Sequence, residues 1–590
     1  MRRTPPPILL LVWLLLAHCT SSTTIAASPT VAGQASAATA SARPQARIGT
    51  PRYDTGSPAY QDIFAGPAGS DEGGDGSQVS PYRTILRAWR TIPHDAQNRR
   101  TGAFRIRLLP GEYYGAFLDR DNDAPSLGDA STPLAIESAD PSNRARIIAD
   151  PLAARANLTL YKIQYAYLQN FDIRMDLTYG GQPLTEAGDA FQCEQCRYLL
   201  LRNMVIRGIR REAQTETVKL NQGEYLFLEE NDISGAGDNP IDAVAVRHGW
   251  WVRNLIHDGI NWCAYLKGGS ADVLIADNAI YDCDEGGFTS GQGSTIVFMQ
   301  APLLRYEAYN IRVINNIIHD INGPALGVNG GTNILMAYNT GYNLGSERLG
   351  HLVAIRAGNR DCANSSDDPA ADAALVARCQ AQIDAGAWGT PTQGVDVELV
   401  PNSQIFLINN LLVGRAGVGY AVAALLVWAP REQSSGYSWA GPLPARFDEQ
   451  LVVRGNLFWT NIEGGSAALV TADGCAPGNP TCNPTQLAAE NAWNSIAPEF
   501  VDLAAGDARP AAGGAMLRIV PAALPALSTS QLLAPEAAIV GELHGMSTVV
   551  TADYNGVARS SAVIGALLPG SQPGGGAPER RLYLAFVGSA

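Results

Sequence analysis

From about residue 160 the hydrophobic pattern repeats: a short apolar strand runs into an asparagine, and two or three apolar residues follow. Leu226-Phe227-Leu228 before Asn231, Trp251-Val252 before Asn254, Val313-Ile314 before Asn316 and Leu407-Ile408 before Asn410 are examples. The asparagines fall at 203, 231, 254, 278, 316, 339, 410 and 456, with tight spacings of 23, 24 and 23 residues. That period fits one coil of a three-strand solenoid, and the wider gaps are then insertions, chiefly 357–403 and 429–448. Stacked coils put equivalent residues about 4.8 Å apart, so the asparagines are expected to form an internal hydrogen-bonded ladder.

A solenoid must cover its open ends. Ahead of the repeat, Tyr82 to Arg90 reads as a short amphipathic helix with Ile85, Leu86 and Trp89 on one side, an N-terminal cap. Phe104 to Tyr113 alternates apolar and polar residues and closes on Pro110-Gly111. Beyond about 490 the repeat is lost, and that region is expected to cover the other end. The sequence therefore predicts an all-β solenoid domain over 56–570, preceded by a low-complexity linker at 28–55 and followed by a linker and tail at 571–590.

Composition adds a location. Residues 1–27 have a charged start, a short apolar core and small residues after it, as an export signal does; the apolar run is too short to span a membrane. A secreted or cell-surface protein is expected. Cys19 suggests a lipoprotein acceptor, although His18 stands where a small residue is wanted. The other eight cysteines are even in number, and Cys263 and Cys283, about one coil apart, could bridge neighbouring rungs. Cys362 and Cys379, and Cys475 and Cys482, read as local staples, and Cys193-x-x-Cys196, with no second such pair in the chain, as a structural disulfide ahead of a redox-active pair or half of a metal site. The net charge of −14 argues against nucleic acid as a partner. A monomer is expected, with no transmembrane span.

Gly69-Ser70-Asp71, Ser80 to Ile85 and Leu109 to Tyr113 together resemble the opening of pectate-lyase-like right-handed parallel β-helix proteins. Lys267-Gly268-Gly269-Ser270 and Asp553 to Ala566 resemble further signatures of the same superfamily, so the likeness spans roughly 60–568. It implies a right-handed parallel β-helix and, because characterised members are mostly polysaccharide lyases, a polysaccharide partner.

Only three lysines occur, Lys162, Lys219 and Lys267. Aligning the coils places Lys219 or Asn221, Arg247, Lys267, Ser290 or Gln292, Asn329 and Arg356 in approximate register along one lateral groove. A lyase acting on uronic acids removes a proton beside a carboxylate, which asks for a base and for cations to hold the developing charge. Lys267 is the candidate base, Arg247 and Arg356 the candidate cations, and Lys219, Gln292, Asn329, Trp250 and Trp262 the candidate substrate contacts. The resemblance implies calcium, and Asp242, Asp284 and Glu285 are its candidate ligands. The leading expectation is β-elimination on an acidic polysaccharide. The alternatives are a non-catalytic glycan-binding scaffold, an uronate epimerase, or hydrolysis by two acids in one groove. His257-Asp258 and His319-Asp320 recur at one coil offset, as a stacked structural corner would.

Overall fold

The computed structural model describes residues 51–571, apart from short interior stretches and the longer segments 362–376, 378–396, 429–447, 461–467 and 541–549. The segment 1–27, Cys19, the Cys362 and Cys379 pair, most of both insertions and the tail after 571 lie outside the described residues. Among the described residues, no helix is long and apolar enough to cross a membrane.

Short strands stack into three parallel sheets of 13, 12 and 11 strands, here the first, second and third sheets. Each coil visits them in that order. In one coil Arg247–Val252 lies in the first sheet, Leu255–Gly259 in the second and Trp262–Lys267 in the third. The next coil repeats the path with Ser270–Ala276, Ala279–Cys283 and Gly286–Ser290. Within a strand, alternate side chains enter one continuous core, so Leu199 and Leu201, Ile256, Ala264 and Leu266 are fully buried. Burying each large aliphatic chain stabilises by roughly 1.5–3 kcal/mol, and the stack repeats that gain coil after coil.

The asparagine ladder forms inside the turn from the first sheet to the second. Asn254 donates to Asn278 at 3.0 Å and to the Leu228 carbonyl at 2.9 Å. Asn278 donates in the same way to Asn316, Asn316 to Asn339, Asn339 to Asn410, and Asn410 to Asn456. The residue before each rung is left-handed: Glu230, Arg253, Asp277, Asn315, Tyr338 and Asn409 have φ of 55–60°. Asn203 is one place off. Glu229 pairs with Arg202, so Met204 occupies the rung opposite Asn231, and Asn203 is the left-handed turn residue, donating instead to Asn170 at 2.6 Å. At the far end Asn491 adds a further rung.

Helix α1 (Ile85–Arg90) closes the N-terminal end by burying Ile85, Ala88 and Trp89, with Thr84 as its N-cap. At the other end, helix α2 (Pro484–Glu490) and the short strand Ala492–Trp493 close the stack. The remainder of the C-terminal region behaves differently from expectation. It runs back along the side of the solenoid, where Ala522 meets Asn409, Arg559 reaches Asn315 and Gly565 abuts Thr340. Helix α3 (Ala534–Val540) is pinned there by Glu536, which takes both Arg305 nitrogens at 2.6 and 2.7 Å. Order also begins before Tyr60. Tyr53 stacks on Phe227 at 4.3 Å, and Arg52 pairs with Glu230, so the strap that was read as linker lies on the first sheet.

Disulfides join Cys193 to Cys196, Cys263 to Cys283 and Cys475 to Cys482, the second linking neighbouring coils. His257, Tyr281, His319 and Tyr342 stack ring on ring down the second sheet at 4.4–4.9 Å, the structural corner expected of the repeated His-Asp pairs.

Candidate active site

Strand pairing in the third sheet fixes which side chains share its outer face. One column reads Gln192, Lys219, Asp242, Tyr265, Thr289 and Gly327. The column beside it reads Asn221, Val244, Lys267, then Gly291, Asn329 and Arg356. Asp189, Glu216, Asn239, Trp262 and Gly286 stand where the coils enter this sheet. Lys219, Asp242, Lys267, Asn329, Arg356 and Trp262 are therefore on one face.

Carboxyls gather around Lys219. Its Nζ lies 3.6 Å from Glu216 Oε1 and 3.3 Å from Asp242 Oδ2, so these two oxygens on adjacent coils are no more than about 7 Å apart. Glu216 Oε2 accepts from the Asn239 amide at 3.0 Å, and the Asp189 carboxylate accepts the Glu216 amide at 2.8 Å. Asp238 is held by Asn261 at 2.8 Å. Glu216 and Asp242 are almost entirely buried, and Asp242 Oδ1 has no hydrogen-bond partner among the described residues.

Burial pushes Glu216 well above the usual carboxylate range, and the charge of Asp242 pushes it further. Burial also raises Asp189 and Asp238. Burial alone would lower Lys219, but Asp242, Glu216 and Asp189 outweigh it and hold the ammonium firmly charged. The Tyr265 hydroxyl is kept protonated by burial and by the neighbouring Asp242 and Glu216. A set of acids around one ammonium, with several raised together, shares protons and titrates as a unit.

Lys267 ends the next strand. Its Nζ lies 3.2 Å from the Tyr265 hydroxyl and 3.3 Å from Gln292 Oε1, and 4.4 Å from the centre of the Tyr265 ring. The turn that follows is fixed by Glu307, whose carboxylate takes the Gly268 amide at 2.8 Å and the Ser294 hydroxyl at 2.5 Å. At the start of the strand that ends in Lys267, Trp262 lays its ring over the next two coils. A Cβ on Gly286 would stand 2.4 Å from its ring and one on Gly327 would stand 2.7 Å from it, so glycine is required at both places. At the far end His351 is driven down to about 4 by burial and by Arg356, so its imidazole is neutral. Arg356 lies 5.7 Å from the Trp428 ring, which is 42% exposed.

Two expected contributors, Arg247 and Trp250, lie elsewhere. Arg247 opens a strand of the first sheet, is buried, and donates to the carbonyls of Gln300 and Pro302 at 3.2 and 3.0 Å. The residue in register with Lys267 in that coil is Val244, three places earlier. Trp250 faces outward from the first sheet, bonds Glu229 at 2.8 Å and packs on Phe227. Trp251 is inside the core. The three proposed metal ligands do not converge. Asp242 is paired with Lys219, while Asp284 is in the turn before the third sheet, bound by Arg210 and Asn322 at 2.7 and 2.8 Å. Glu285 follows it and helps hold the charge of Arg356. Among the described residues no group of three or more His, Cys, Asp or Glu has metal-binding geometry.

Sequence reading missed Glu216, Asp189 and the hydroxyl role of Tyr265. The available signal was an acid or amide two residues before three successive third-sheet strands, at Asp189, Glu216 and Asn239.

Residues 189–355 match the family model of the right-handed β-helix region. No curated protein is matched by the chain. Among solved structures, it is similar to pectate lyase Pel9A, with TM-score 0.34, 11% identity, and coverage of 51% of this chain and 75% of that one. A GH136 lacto-N-biosidase from Eubacterium ramulus gives TM-score 0.37 and 11% identity, over 73% of this chain and 67% of its own. The mannuronan C-5 epimerase AlgE6 A-module of Azotobacter vinelandii gives TM-score 0.33 and 11% identity, over 63% and 91%.

Proposed function

We propose that this right-handed parallel β-helix is a secreted glycan-cleaving enzyme that hydrolyses glycosidic bonds on the outer face of its third sheet. The observation that carries the reading is the Lys219 ammonium clamped between Glu216 and Asp242 on adjacent coils. Glycoside hydrolysis needs one carboxyl that keeps a proton and one that has lost it, on either side of the scissile bond. Burial makes Glu216 the proton holder, the group that protonates the leaving oxygen. Asp242, paired with Lys219 and with Oδ1 unpartnered, supplies the carboxylate that activates water or attacks the sugar. Lys219 transfers neither proton; it pairs with Asp242 and stands between the two acids.

The same charges argue for a neutral glycan. The carboxyls of Asp189, Glu216, Asp238 and Asp242 crowd this part of the face, and a polyuronate would add carboxylates beside groups that already compete for the charge of Lys219. Sugar hydroxyls and the apolar faces of pyranose rings suit the carboxylates and the aromatic Trp262 and Tyr265.

A second reading, β-elimination centred on Lys267, is favoured by the contact of its ammonium with the Tyr265 hydroxyl at 3.2 Å and by Asn329 and Arg356 in its column. Calcium belongs to that reading, and Asp242, Asp284 and Glu285 do not converge as a set of ligands for it. The test is incubation of purified protein with neutral and uronate-containing polysaccharides, with calcium or chelator, following both new reducing ends and absorbance near 232 nm. Reducing ends from a neutral polymer, without the 232 nm signal, support hydrolysis. A 232 nm product from a polyuronate overturns it in favour of elimination. Binding without either signal leaves a glycan-binding scaffold.

A further inference from the structure

Lys219, Asp242 and Tyr265 follow one another on adjacent coils in a single column of the third sheet. Lys267 ends the strand that carries Tyr265, two residues further on, so its side chain leaves the sheet on the same side. Asp242 and Tyr265 are both buried, at 4% and 3% exposed.

The chemistry of the donors fixes the direction of these contacts. An ammonium can only donate, so across the 3.2 Å between Lys267 Nζ and the Tyr265 hydroxyl it is the phenol oxygen that accepts. Gln292 Oε1, 3.3 Å from the same Nζ, helps to aim the ammonium. The Tyr265 hydroxyl therefore still has its own hydrogen to give. One coil away, Asp242 has the complementary need. Its Oδ2 lies 3.3 Å from Lys219, whereas its Oδ1 is buried without a hydrogen-bond partner among the described residues. Burial and the charges of Asp242, Glu216 and Asp238 keep the phenol protonated, as a donor must be.

We propose that Tyr265 is a positioning residue of this site: oriented by Lys267, its hydroxyl donates to Asp242 Oδ1 and, with Lys219 on Oδ2, stops the carboxylate turning about its Cβ–Cγ bond. This rests on the hydrolytic reading, in which Asp242 must present an oxygen to water or to the sugar in a fixed direction. Each oxygen keeps a second lone pair for that purpose. Lys267 gains a part in hydrolysis as well, as the group that turns the Tyr265 hydrogen toward Asp242.

The test has two arms. Thermal unfolding of the full chain reads the contact without any substrate. Tyr265→Phe is expected to lower the midpoint by at least about 1 °C in the wild-type background, and by less than about half as much beside Asp242→Leu, which lacks the acceptor. Asp242→Ala repeats the comparison should the leucine not be accommodated. Equal shifts with and without the Asp242 carboxylate would overturn the proposal.

Rates on whichever polysaccharide the wild type cleaves read the role. Per folded molecule, Tyr265→Phe is expected to lower kcat at least about tenfold while KM changes less than about twofold, and Lys267→Met to lower kcat about threefold. Adding Lys267→Met to Tyr265→Phe is expected to lower kcat less than about twofold further, because the lysine acts through the hydroxyl. A loss carried by KM, or losses that multiply in the double variant, would also overturn the proposal. Unequal midpoint shifts with no polymer cleaved would support the contact and sink the hydrolytic reading, so the two fail separately.

Discussion

At the scale of the residue, the same asparagine does opposite things depending on one place in register. On the ladder, Asn278 accepts from the Asn254 amide and side chain and donates to Trp251 and Asn316, so its removal strands several buried groups. Asn278→Ala should cost about 3 kcal/mol, whereas Asn491→Ala, at the half-exposed end of the ladder, should cost about 1 kcal/mol; denaturant unfolding distinguishes them. The ladder was legible because only asparagine both accepts from one neighbouring rung and donates to the next, as Asn278 does. Asn203 was misread because the turn residue beside each rung must be left-handed, and asparagine is also among the best residues for that. Glu216 was hidden for a physical reason too. Its depth and its neighbours come from other coils, with Asp189 and Asn239 lying 27 and 23 residues away, and a carboxyl's proton affinity depends on both.

That affinity can be measured. In the folded chain Glu216, Asp189 and Asp238 all lie above the ordinary carboxylate range. Between that range and neutrality the folded state holds protons that the unfolded state has released. Their contribution to stability is therefore full in acid and is lost as pH rises through the raised values. Glu216→Gln removes part of this loss, so relative to wild type the variant should gain stability at pH 8 compared with pH 5. The gain should be at least ~1 kcal/mol, read as a difference of thermal midpoints. Asp320, whose pKa is lowered chiefly by its hydrogen bonds to His319 and Asn343 against the opposing effect of burial, works in the other direction in both proteins and cancels in the comparison.

At the scale of the element, strand pattern and period were readable from sequence, and so was α1, whose apolar side had one place to go. What the flanking segments cover was not. The strap at Pro51 to Asp54 carries only Tyr53 as a large group, yet it closes over Phe227 while Arg202 donates to the Tyr53 carbonyl at 2.6 Å. Beneath it Glu229 is fully buried and takes Arg202, Trp250 and the Tyr53 amide. Glu229→Ala leaves Arg202 uncompensated and should destabilise by about 3–5 kcal/mol. The C-terminal wrap makes a contrasting case. Its helix α3 is held by Glu536 on Arg305 and on the Tyr309 hydroxyl at 2.8 Å. Glu536→Ala should speed amide exchange of 534–540 by about a hundredfold while leaving the coil strands protected, because the helix is a peripheral unit.

At the scale of the whole molecule, the solenoid explains why fold and chemistry were unequally legible. Stacking makes every coil repeat its neighbour, so inward-facing positions obey one rule and announce themselves as a period. Outward columns obey no such rule. Lys219, Asp242 and Tyr265 follow one another at the same position on adjacent coils, and a register slip of one or a few residues exchanges them for Asn221, Val244 and Lys267 or for a residue of another sheet. Arg247 was misplaced in that way. Lys267 and Arg356 share one column, and the cluster beside them changes the chemistry that the face suggests.

The most direct test of that chemistry is the rate on whichever polysaccharide the wild type cleaves, compared in Glu216→Gln, Asp242→Asn and Lys267→Ala, with the products formed in ¹⁸O-labelled water analysed by mass. Hydrolysis by the Glu216 and Asp242 pair predicts one ¹⁸O in each new reducing end. It also predicts a loss of at least about a thousandfold in the first two variants and a much smaller loss in the third. Unlabelled, unsaturated ends, with activity abolished in Lys267→Ala and retained in Glu216→Gln, would contradict the account and return the reaction to elimination at Lys267.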